Sequence, residues 1–262
     1  MPLRPADNSH FVPPRCHTLA VSVIIPTWNE ANYLPKAITS ARLSGAQEVV
    51  VVDGGSTDGT ITFAVQWADQ FLQTERGRAV QMNFGAAHAR GEILCFLHAD
   101  CALSPRALFQ ASIYLSRPGI AAACFRQHHL SDDWRFRLLD AGATARVRCF
   151  GWVYGDQGVV VRRQLFQQVG GFPELPIFED VALCRKLQRF GRIIVLPAAI
   201  YVSPRRWEGR CFWSVTVSNW WLAGAYALGL APQRLAGWRL HRALSTRPFQ
   251  FVNNQHLRDL PA

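Results

Sequence analysis

Lysine is nearly missing from this chain: Lys36 and Lys186 are the only two among 28 basic residues. Arginine therefore carries the positive charge, and its planar fork suits phosphates and carboxylates better than the lysine ammonium does. Internal repeats are absent, and beyond the first ~20 residues no stretch is polar or repetitive enough to predict disorder. These absences exclude repeat and low-complexity proteins. With 262 residues, 49% of them hydrophobic, the chain can fill the core of one domain.

Cysteine pairs of the zinc-binding type and a secretory leader are missing as well. Seven cysteines occur, an odd number, and none forms a Cys-x-x-Cys pair. Cys95 and Cys124 lie in apolar runs, where cysteine packs as a small hydrophobe. The start, MPLRPADNSHFVPP, has no apolar segment of the signal-peptide type, so residues 1–20 are expected to form a tail. We therefore expect reduced thiols and a cytoplasmic protein.

Positive charge, by contrast, is abundant and unevenly distributed. The net charge is +10, and the segment from Tyr201 onward holds eight arginines against Glu208 and Asp259, which makes +6. A basic end of this kind suits an anionic membrane, a phosphorylated substrate or nucleic acid, or it is simply a solvated surface. The charge pattern alone leaves these alternatives open.

Apolar runs alternate with helical patterns through most of the chain. Strands are predicted at 21–26, 48–53, 71–74, 93–97, 119–125, 158–161 and 193–196. Helices are predicted at 32–43, 60–68, 78–89, 134–148 and 179–190. Pro105 is expected to open one more helix at its first position. The alternation predicts an α/β fold in which a mostly parallel sheet is flanked by helices.

Acidic residues follow three of the predicted strands. Glu30 comes after the first strand, Asp53 after the second and Asp100 after the fourth. Ligands of parallel α/β sheets bind beyond the carboxyl ends of the strands, so these carboxylates are expected to share a cleft. They could hold a divalent metal against a diphosphate, or accept hydrogen bonds from ribose hydroxyls. Gly54 and Gly55 would let the backbone approach such a ligand closely.

Four motifs in a fixed order carry a family resemblance. They are Ser-Val-Ile-Ile-Pro-Thr-Trp-Asn-Glu (22–30), Val-Val-Asp-Gly-Gly-Ser-Thr-Asp-Gly-Thr (51–60), His-Ala-Asp (98–100) and Phe-Glu-Asp (178–180). Together they resemble the family 2 glycosyltransferases of the GT-A fold, a Rossmann-like fold of nucleotide-diphospho-sugar transferases. The resemblance covers roughly residues 21–205, the expected catalytic domain, and leaves 206–262 as a helical extension. It implies a UDP- or GDP-sugar donor, a hydroxyl acceptor, a divalent metal (Mn or Mg) and inversion at the anomeric carbon.

The resemblance also implies roles on the donor side. Pro26 and Glu30 would line the nucleotide pocket, and Asp53 would bind the base or the ribose. Asp100, the last residue of the family's Asp-x-Asp motif, would coordinate the metal. The chain departs from the family pattern at Gly54, where a second Asp often stands, and at His98, which replaces the first Asp of Asp-x-Asp.

These departures matter for how the donor is held. His98 would contact the donor ribose or ligate a divalent metal, unless it only packs at the strand end. Arg76 and Arg78 flank a glycine at a helix start, where they are expected to contact the diphosphate or the base, unless they belong to a solvated loop. Together with Gly-Asp-Gln-Gly at 155–158, these features resemble a bacterial subgroup named for radical-SAM/selenodomain neighbours or arsenosugar biosynthesis.

The acceptor side is assigned from the second half of the chain. The resemblance implies that Asp180 is the base that deprotonates the acceptor hydroxyl, and Glu179 is assigned as catalytic beside it. Acids at a helix start also stabilise the helix dipole, which is the alternative. Asp156 and Gln157 either bind acceptor hydroxyls or form a turn. Trp207 is assigned to the acceptor, because Arg-Arg-Trp resembles the end of the Gln-x-x-Arg-Trp motif of processive members. Since the Gln is missing, processive synthesis is not expected.

The segment 212–230 is apolar and rich in tryptophan. Its 19 residues approach the ~20 that span a bilayer, but polar residues interrupt it and its tryptophans lie in the middle. Three alternatives stay open: packing on the domain or on a second copy in a homodimer, peripheral contact of 205–242 with the inner face of the cell membrane, and a membrane span.

Rival functions are distinguished by other features. A nucleotidyltransferase would carry a glycine-rich phosphate loop after the first strand, and Pro-Thr-Trp-Asn-Glu is not one. Nucleic-acid binding, suggested by a pI of about 9.8, conflicts with the acidic strand ends, so no nucleic acid is expected as a partner. A catalytically inactive sugar-nucleotide binder is the third alternative, and Gly54 and His98 motivate it.

Overall fold

A computed structural model describes residues 19–244 of the chain. The predicted tail lies almost wholly outside these residues, as does the end of the predicted extension. The strands are β1 (Val21–Thr27), β2 (Glu48–Asp53), β3 (Gln70–Gln73), β4 (Ile93–Phe96), β5 (Cys101–Leu103), β6 (Ile120–His129), β7 (Val159–Arg162) and β8 (Arg192–Val202). The helices are α1 (Leu34–Leu43), α2 (Thr60–Trp67), α3 (Arg78–His88), α4 (Ala107–Leu115), α5 (Trp134–Phe150), α6 (Arg163–Gln168), α7 (Glu179–Leu187), α8 (Phe212–Ala227) and α9 (Pro232–Leu244). Gly155–Gln157 and Pro204–Arg206 form single 3-10 turns.

The eight strands form one sheet in the order β3-β2-β1-β4-β7-β6-β8-β5. Strands β3, β2, β1 and β4 are parallel to one another. Strand β7 runs antiparallel between β4 and β6, and β5 runs antiparallel to β8, whereas β6 and β8 are parallel. Six of the eight strands therefore share one direction, which confirms the predicted α/β fold with a mostly parallel sheet.

The buried runs of the sequence explain why the sheet is covered on both faces. All six residues of β2 are buried, as expected for a parallel strand with helices on both sides. Val49 and Val51 pack into one apolar cluster with α1 and α4, and Val50 and Val52 pack into a second with α3 and α7. Alternate side chains of β2 therefore contribute to the apolar clusters on the two faces of the sheet. The carboxyl end of β2 lies at the edge of the sheet where the site is found.

Some boundaries differ from the prediction. Pro105 does not open α4, which begins at Ala107, because Arg106 adopts a left-handed conformation (φ 59°) that interrupts helical geometry. The sequence patterns did not predict β5, and they gave no bounds for α6 or for the helices within the predicted extension 206–262. Strand β8 is longer than predicted because it pairs with both β6 and β5 along its length.

The tryptophan-rich segment forms α8, which packs on the domain by one side only. Leu222 and Tyr226 pack with Ile177 and Val181 of the sheet domain. Trp220 and Trp221 on the other side stay 65% and 52% exposed. Between residues 19 and 244, no helix has both the length and the apolar character needed to cross a membrane.

Candidate active site

Asp53 lies at the carboxyl end of β2 and is fully buried. Its Oδ2 accepts hydrogen bonds from the backbone N–H groups of Gly55 and Ser56, both at 2.8 Å. Its Oδ1 accepts from the Ser56 hydroxyl and, at 3.2 Å, from the Thr27 hydroxyl. The carboxylate therefore shapes the loop after β2, and its contact with a nucleoside stays a prediction.

Gly54 is enclosed by the start of α3. A Cβ on this residue would lie 3.2 Å from the Cα of Arg76 and 3.2 Å from Nε2 of Gln81. The Gln81 amide is fixed there, since it donates to the carbonyls of Thr27 and Val52, each at 2.8 Å. The side chain of a second Asp would have to displace this amide, which gives a physical reason for the departure from the family pattern.

Arg205 links two of the predicted donor-side acids, a role that the sequence did not reveal. Its two terminal nitrogens donate to the carboxylate of Glu30, each at 2.7 Å, and its Nε donates to Oδ2 of Asp100 at 2.7 Å. The guanidinium also lies over the ring of Tyr33, 4.5 Å from its centroid. Burial acts to raise the pKa of Asp100, but the charge and the hydrogen bond of Arg205, together with the neighbouring His98 and Arg206, outweigh burial and lower that pKa below its usual value.

The other predicted donor-side residues lie at the same edge of the sheet. Pro26 is half-buried near the end of β1. Arg76 is exposed, and its guanidinium stacks on Trp28, 3.3 Å from the ring centroid. Arg78 begins α3 and donates to Oε1 of Glu179 at 3.1 Å, with 43% of its side chain exposed. The helix start and these arginine forks leave cationic groups facing outward beside the acids.

A cavity of about 530 Å³ adjoins this edge, within the range of small-molecule sites. It is lined by Arg78, His98, Asp156, Glu179, Asp180 and Trp207 among the predicted site residues. His129, which was not predicted, also lines it. Gln157 is fully buried, does not line the cavity, and accepts from Arg146 at 2.6 Å.

Asp180 lies in the wall of this cavity at the start of α7. Its Oδ2 accepts from the backbone N–H of Gly155 at 2.9 Å, and its buried Oδ1 has no hydrogen-bond partner among the described residues. Burial, reinforced by the neighbouring Glu179, raises the pKa of Asp180 to about 8. A carboxyl group in this state can take up a proton near neutral pH.

The residue before α7 is held in an uncommon conformation. Phe178 has φ 64°, in the left-handed region that bulky side chains rarely adopt. Its ring stacks on Tyr226 of α8, with centroids 4.6 Å apart and planes 13° from parallel. Helix α8 thus supports the turn that places Glu179 and Asp180 at the cavity.

Unpartnered polar atoms concentrate in this cavity. Across the described part of the chain, the buried side-chain atoms without a partner include Nε2 of His98, Nε2 of His129, Oδ1 of Asp156 and Oδ1 of Asp180. All four residues line the cavity. Such groups are costly to bury unless water or a ligand completes their hydrogen bonds. The cavity therefore has the chemistry of a site for a hydroxylated ligand.

Two histidines in this group are held rigidly. The ring of His98 lies against Gly155, where an added Cβ would be only 2.4 Å from Nε2. Burial, and then the charge of Arg78, lowers the pKa of His98 to about 4. His129 Nδ1 pairs with Oδ1 of Asp140 at 2.6 Å, which leaves Nε2 as its available nitrogen.

Trp207 forms an aromatic wall beside His129. Its ring meets His129 edge-on with centroids 5.1 Å apart, and its indole nitrogen donates to Thr216 of α8 at 3.4 Å. Trp207 thus lines the same cavity as Asp156 and Asp180, which were also predicted on the acceptor side, and its contact with an acceptor stays a prediction.

The predicted metal position is tested by its donor atoms. Within the described residues, no three His, Cys, Asp or Glu side chains cluster as a metal site. Mg²⁺ and similar ions are commonly held by one or two carboxylates plus substrate phosphates, so a full protein cage is not required. Asp100 offers a carboxylate and His98 an unpartnered nitrogen. These donors fit a divalent ion that the diphosphate of a donor completes.

Comparison with known proteins supports this assignment of the fold. In structure, the chain is similar to a mannosyltransferase from Pyrobaculum calidifontis in complex with GDP-Man and Mn²⁺, with a TM-score of 0.63 and 23% identity over 89% of this chain and 77% of that one. It is also similar to Staphylococcus aureus TarS in complex with UDP-GlcNAc, with a TM-score of 0.57 and 20% identity over 71% of this chain and 59% of that one.

Sequence relatives match a shorter part. The glycosyltransferase AglE of Haloferax volcanii is 39% identical over 92 residues, 31% of this chain and 30% of that protein. An uncharacterized glycosyltransferase of Nostoc is 36% identical over 99 residues, 34% of this chain and 31% of that protein. The chain thus spans less than a third of these curated relatives. The model of "Glycosyl transferase family 2" matches residues 22–167, more than half of the chain. The chain therefore belongs to glycosyl transferase family 2.

Proposed function

We propose that this protein transfers a sugar from a nucleotide-diphosphate sugar to an acceptor hydroxyl, with inversion at the anomeric carbon. The observation that carries the proposal is Asp180: a buried carboxyl with one free oxygen, lining a cavity beside the family's donor motifs. Its pKa, raised to about 8, makes the ionised carboxylate a stronger base than an ordinary Asp, available at and above that pH.

In the proposed reaction, Oδ1 of Asp180 takes the proton of the acceptor hydroxyl as its oxygen bonds to the anomeric carbon. The bond from that carbon to the diphosphate oxygen breaks, and the nucleoside diphosphate leaves with the electron pair. Inversion follows because attack and departure occur on opposite faces. Glu179 cannot share this role easily, since Arg78 already occupies its carboxylate.

The donor is proposed to lie along the edge formed by the first two family motifs. The loop that Asp53 holds in place would contact the nucleoside, with Pro26 and Glu30 in its wall. Arg76 and Arg78 would meet the diphosphate through their forks. The bacterial subgroup named for arsenosugar or radical-SAM neighbours stays a prediction from the motifs around Arg76 and Gly155.

A divalent metal, when bound, would neutralise charge on the departing diphosphate. Asp100 and His98 are the residues that would hold it. In the structure Arg205 supplies a positive charge at Asp100 and Glu30, so it must shift if a metal takes the Asp100 carboxylate. We infer that the charge of Arg205 offsets the repulsion between the carboxylates of Glu30 and Asp100 until a donor binds.

The test is to measure thermal stabilisation and hydrolysis with a panel of UDP- and GDP-sugars, with and without Mn²⁺. Binding of at least one donor class, shown by a raised Tm, and slow release of free sugar are expected. If no donor of either class raises the Tm, the proposed function is wrong.

A second candidate, a sugar-nucleotide binder without activity, is favoured by one observation: Arg205 already satisfies Asp100 and Glu30. The same panel separates the two. A donor that raises the Tm but is never hydrolysed or transferred, in wild type and in Asp180→Asn alike, would select the inactive binder.

A further inference from the structure

The cavity that holds Asp180 is lined by two unlike groups of residues. One group of lining residues consists of His98, His129, Asp156 and Asp180, each of which has a buried polar atom without a hydrogen-bond partner. The other group comes from α5 and α8, which contribute mostly apolar side chains. Examples are Leu138, Leu139, Ala143, Trp220, Leu222 and Ala223. The same helices also contribute Arg146, Thr216 and Asn219, but a free sugar would leave their apolar side chains uncovered.

The apolar group extends to the protein surface. Leu138, Phe150 and Trp220 all line the cavity, yet their side chains are 56%, 61% and 65% exposed. No charged residue occurs anywhere in α8. Large exposed apolar side chains that adjoin one cavity mark a surface for a ligand or a membrane. Part of the cavity therefore opens onto an apolar rim, while the exposed Arg78 and Arg206 also line it.

A glycine in the cavity wall adds an independent observation. Gly142 lies in the interior of α5, where glycine is less favourable than alanine. A Cβ added to Gly142 would meet no atom within 4 Å, so close packing does not require glycine there. Its missing side chain instead leaves room in the cavity that it lines.

We propose that the acceptor is a membrane lipid with a hydroxylated headgroup, bound with its headgroup at the polar lining residues and its apolar chain between α5 and α8. This inference rests on the proposed function, because it names the acceptor of that reaction. The headgroup hydroxyls complete the hydrogen bonds of Asp180, Asp156 and His129. The apolar chain of the lipid extends across the rim into a bilayer, and the exposed Arg206, which lines the cavity, favours an anionic surface there.

The first experiment measures binding of methyl, butyl and octyl β-glucoside by calorimetry, all below their micelle concentrations. Affinity should rise with chain length, by up to about fourfold for each methylene that enters the cavity. Gly142→Phe, which fills the wall, should remove this gain. Gly224→Phe is the matched control: Gly224 is a glycine of α8 with equally open space around it, and it does not line the cavity.

The second experiment tests whether the ligand's apolar chain belongs to a membrane lipid or to a free amphiphile. The protein should float with phosphatidylglycerol vesicles at low salt, and Trp220→Ser should reduce flotation at least severalfold. Trp67→Ser, at a tryptophan that is 38% exposed elsewhere on the surface, should not. Dependence on chain length without flotation would overturn the membrane source and leave a free amphiphile as the ligand.

Affinities that do not change from methyl to octyl glucoside would overturn the inference, as would an equal loss in the two phenylalanine variants. Failure of the proposed function looks different: no UDP- or GDP-sugar would raise the Tm, whatever the glucosides do. Donor stabilisation in Gly142→Phe, equal to that of wild type, shows that the variant is folded.

Discussion

The proposed donor side and the proposed acceptor side of this site differ in how fully their polar groups are paired within the protein. At the donor side, Asp53 is saturated by its own loop, and Arg205 pairs with both Glu30 and Asp100. At the acceptor side, Asp180 and His129 each keep a buried atom without a partner. The donor-side acids Asp53, Glu30 and Asp100 thus have partners before any ligand arrives, whereas Asp180 and His129 each keep an atom for a ligand to satisfy.

This difference has consequences for what each region can do. A donor must replace internal hydrogen bonds and ion pairs, so binding exchanges one set of polar contacts for another. An acceptor instead satisfies groups that are costly as they stand. The paired acids of the donor side thus stabilise the folded protein. The unpaired buried groups of the acceptor side destabilise it but suit proton transfer.

The largest expected effect is a loss of the transfer rate without a loss of donor affinity, which distinguishes the acceptor side from the donor side. Asp180→Asn should lower the transfer rate by about 10²–10⁴-fold, because it removes the proposed base while the amide oxygen can still accept from Gly155. Donor affinity, measured by calorimetry, should stay within about twofold of wild type. Loss of donor binding would show that Asp180 belongs to the donor side after all.

Glu179→Gln is the matched control for this variant. It changes the neighbouring acid in the same way but disturbs the pair with Arg78. We expect weaker donor binding and a smaller fall in the maximal rate, since Arg78 loses the partner that orients it. A fall in rate equal to that of Asp180→Asn would contradict the assignment of a single base.

Arg205→Ala would remove the ion pairs that Arg205 makes with Glu30 and Asp100 at the donor side. It leaves two partly buried carboxylates unpaired and should lower the free energy of unfolding by about 2–3 kcal/mol. Mn²⁺ should then raise the Tm of the variant more than that of wild type, because Asp100 has become free for the ion. Arg206→Ala removes the same charge one residue along and should show neither effect; equal Mn²⁺ responses in all three proteins would refute the pairing argument.

The raised pKa of Asp180 also predicts how stability depends on pH. Between its ordinary value of 3.8 and about 8, the folded protein holds a proton that the unfolded chain has lost, so raising the pH through this window destabilises wild type. Asp180→Asn has no such proton and should be more stable by at least about 1 kcal/mol at pH 8, or roughly 2–4 °C in Tm. Denaturation curves at pH 4.5 and pH 8 measure the gap, which should widen with pH.

The smallest expected effect concerns the tight packing behind the donor loop. Gly54→Ala should cost about 1 kcal/mol, because its Cβ would press on the backbone at Arg76 and on the fixed amide of Gln81. Gly59→Ala is the control, since its Cβ would make only ordinary contacts at 3.7 Å. Identical urea midpoints for the two variants would show that the donor loop is less rigid than its hydrogen bonds indicate.

The donor side was the more predictable region, for a physical reason. Its acids follow buried strands directly, so apolar runs ending in Asp53 and Asp100 locate them without knowledge of the tertiary structure. The sheet was predictable for the same reason. Arg205 lies 105 residues from Asp100 and 175 from Glu30, and no local pattern links residues so far apart.

The acceptor side depends still more on tertiary packing. His129 and Asp140 are eleven residues apart, on a strand and a helix, and only the folded chain brings them together. The apolar segment 212–230 was recognised from the sequence. The sequence could not decide that Tyr226 of this segment would stack on Phe178 or which of its other residues would stay exposed. Pro105 shows the limit of local signals, because the backbone of Arg106 delays the helix that proline was expected to open.

The stacking of Phe178 on Tyr226 bears on the order in which the protein matures during synthesis. The donor motifs and their strands leave the ribosome first, while the helix that supports the left-handed turn before Asp180 emerges almost fifty residues after it. We expect a nascent chain to form the loop that Asp53 holds well before it can form the turn that places Asp180, because that turn must wait for Tyr226. The position of the proposed base is therefore set among the later steps of synthesis.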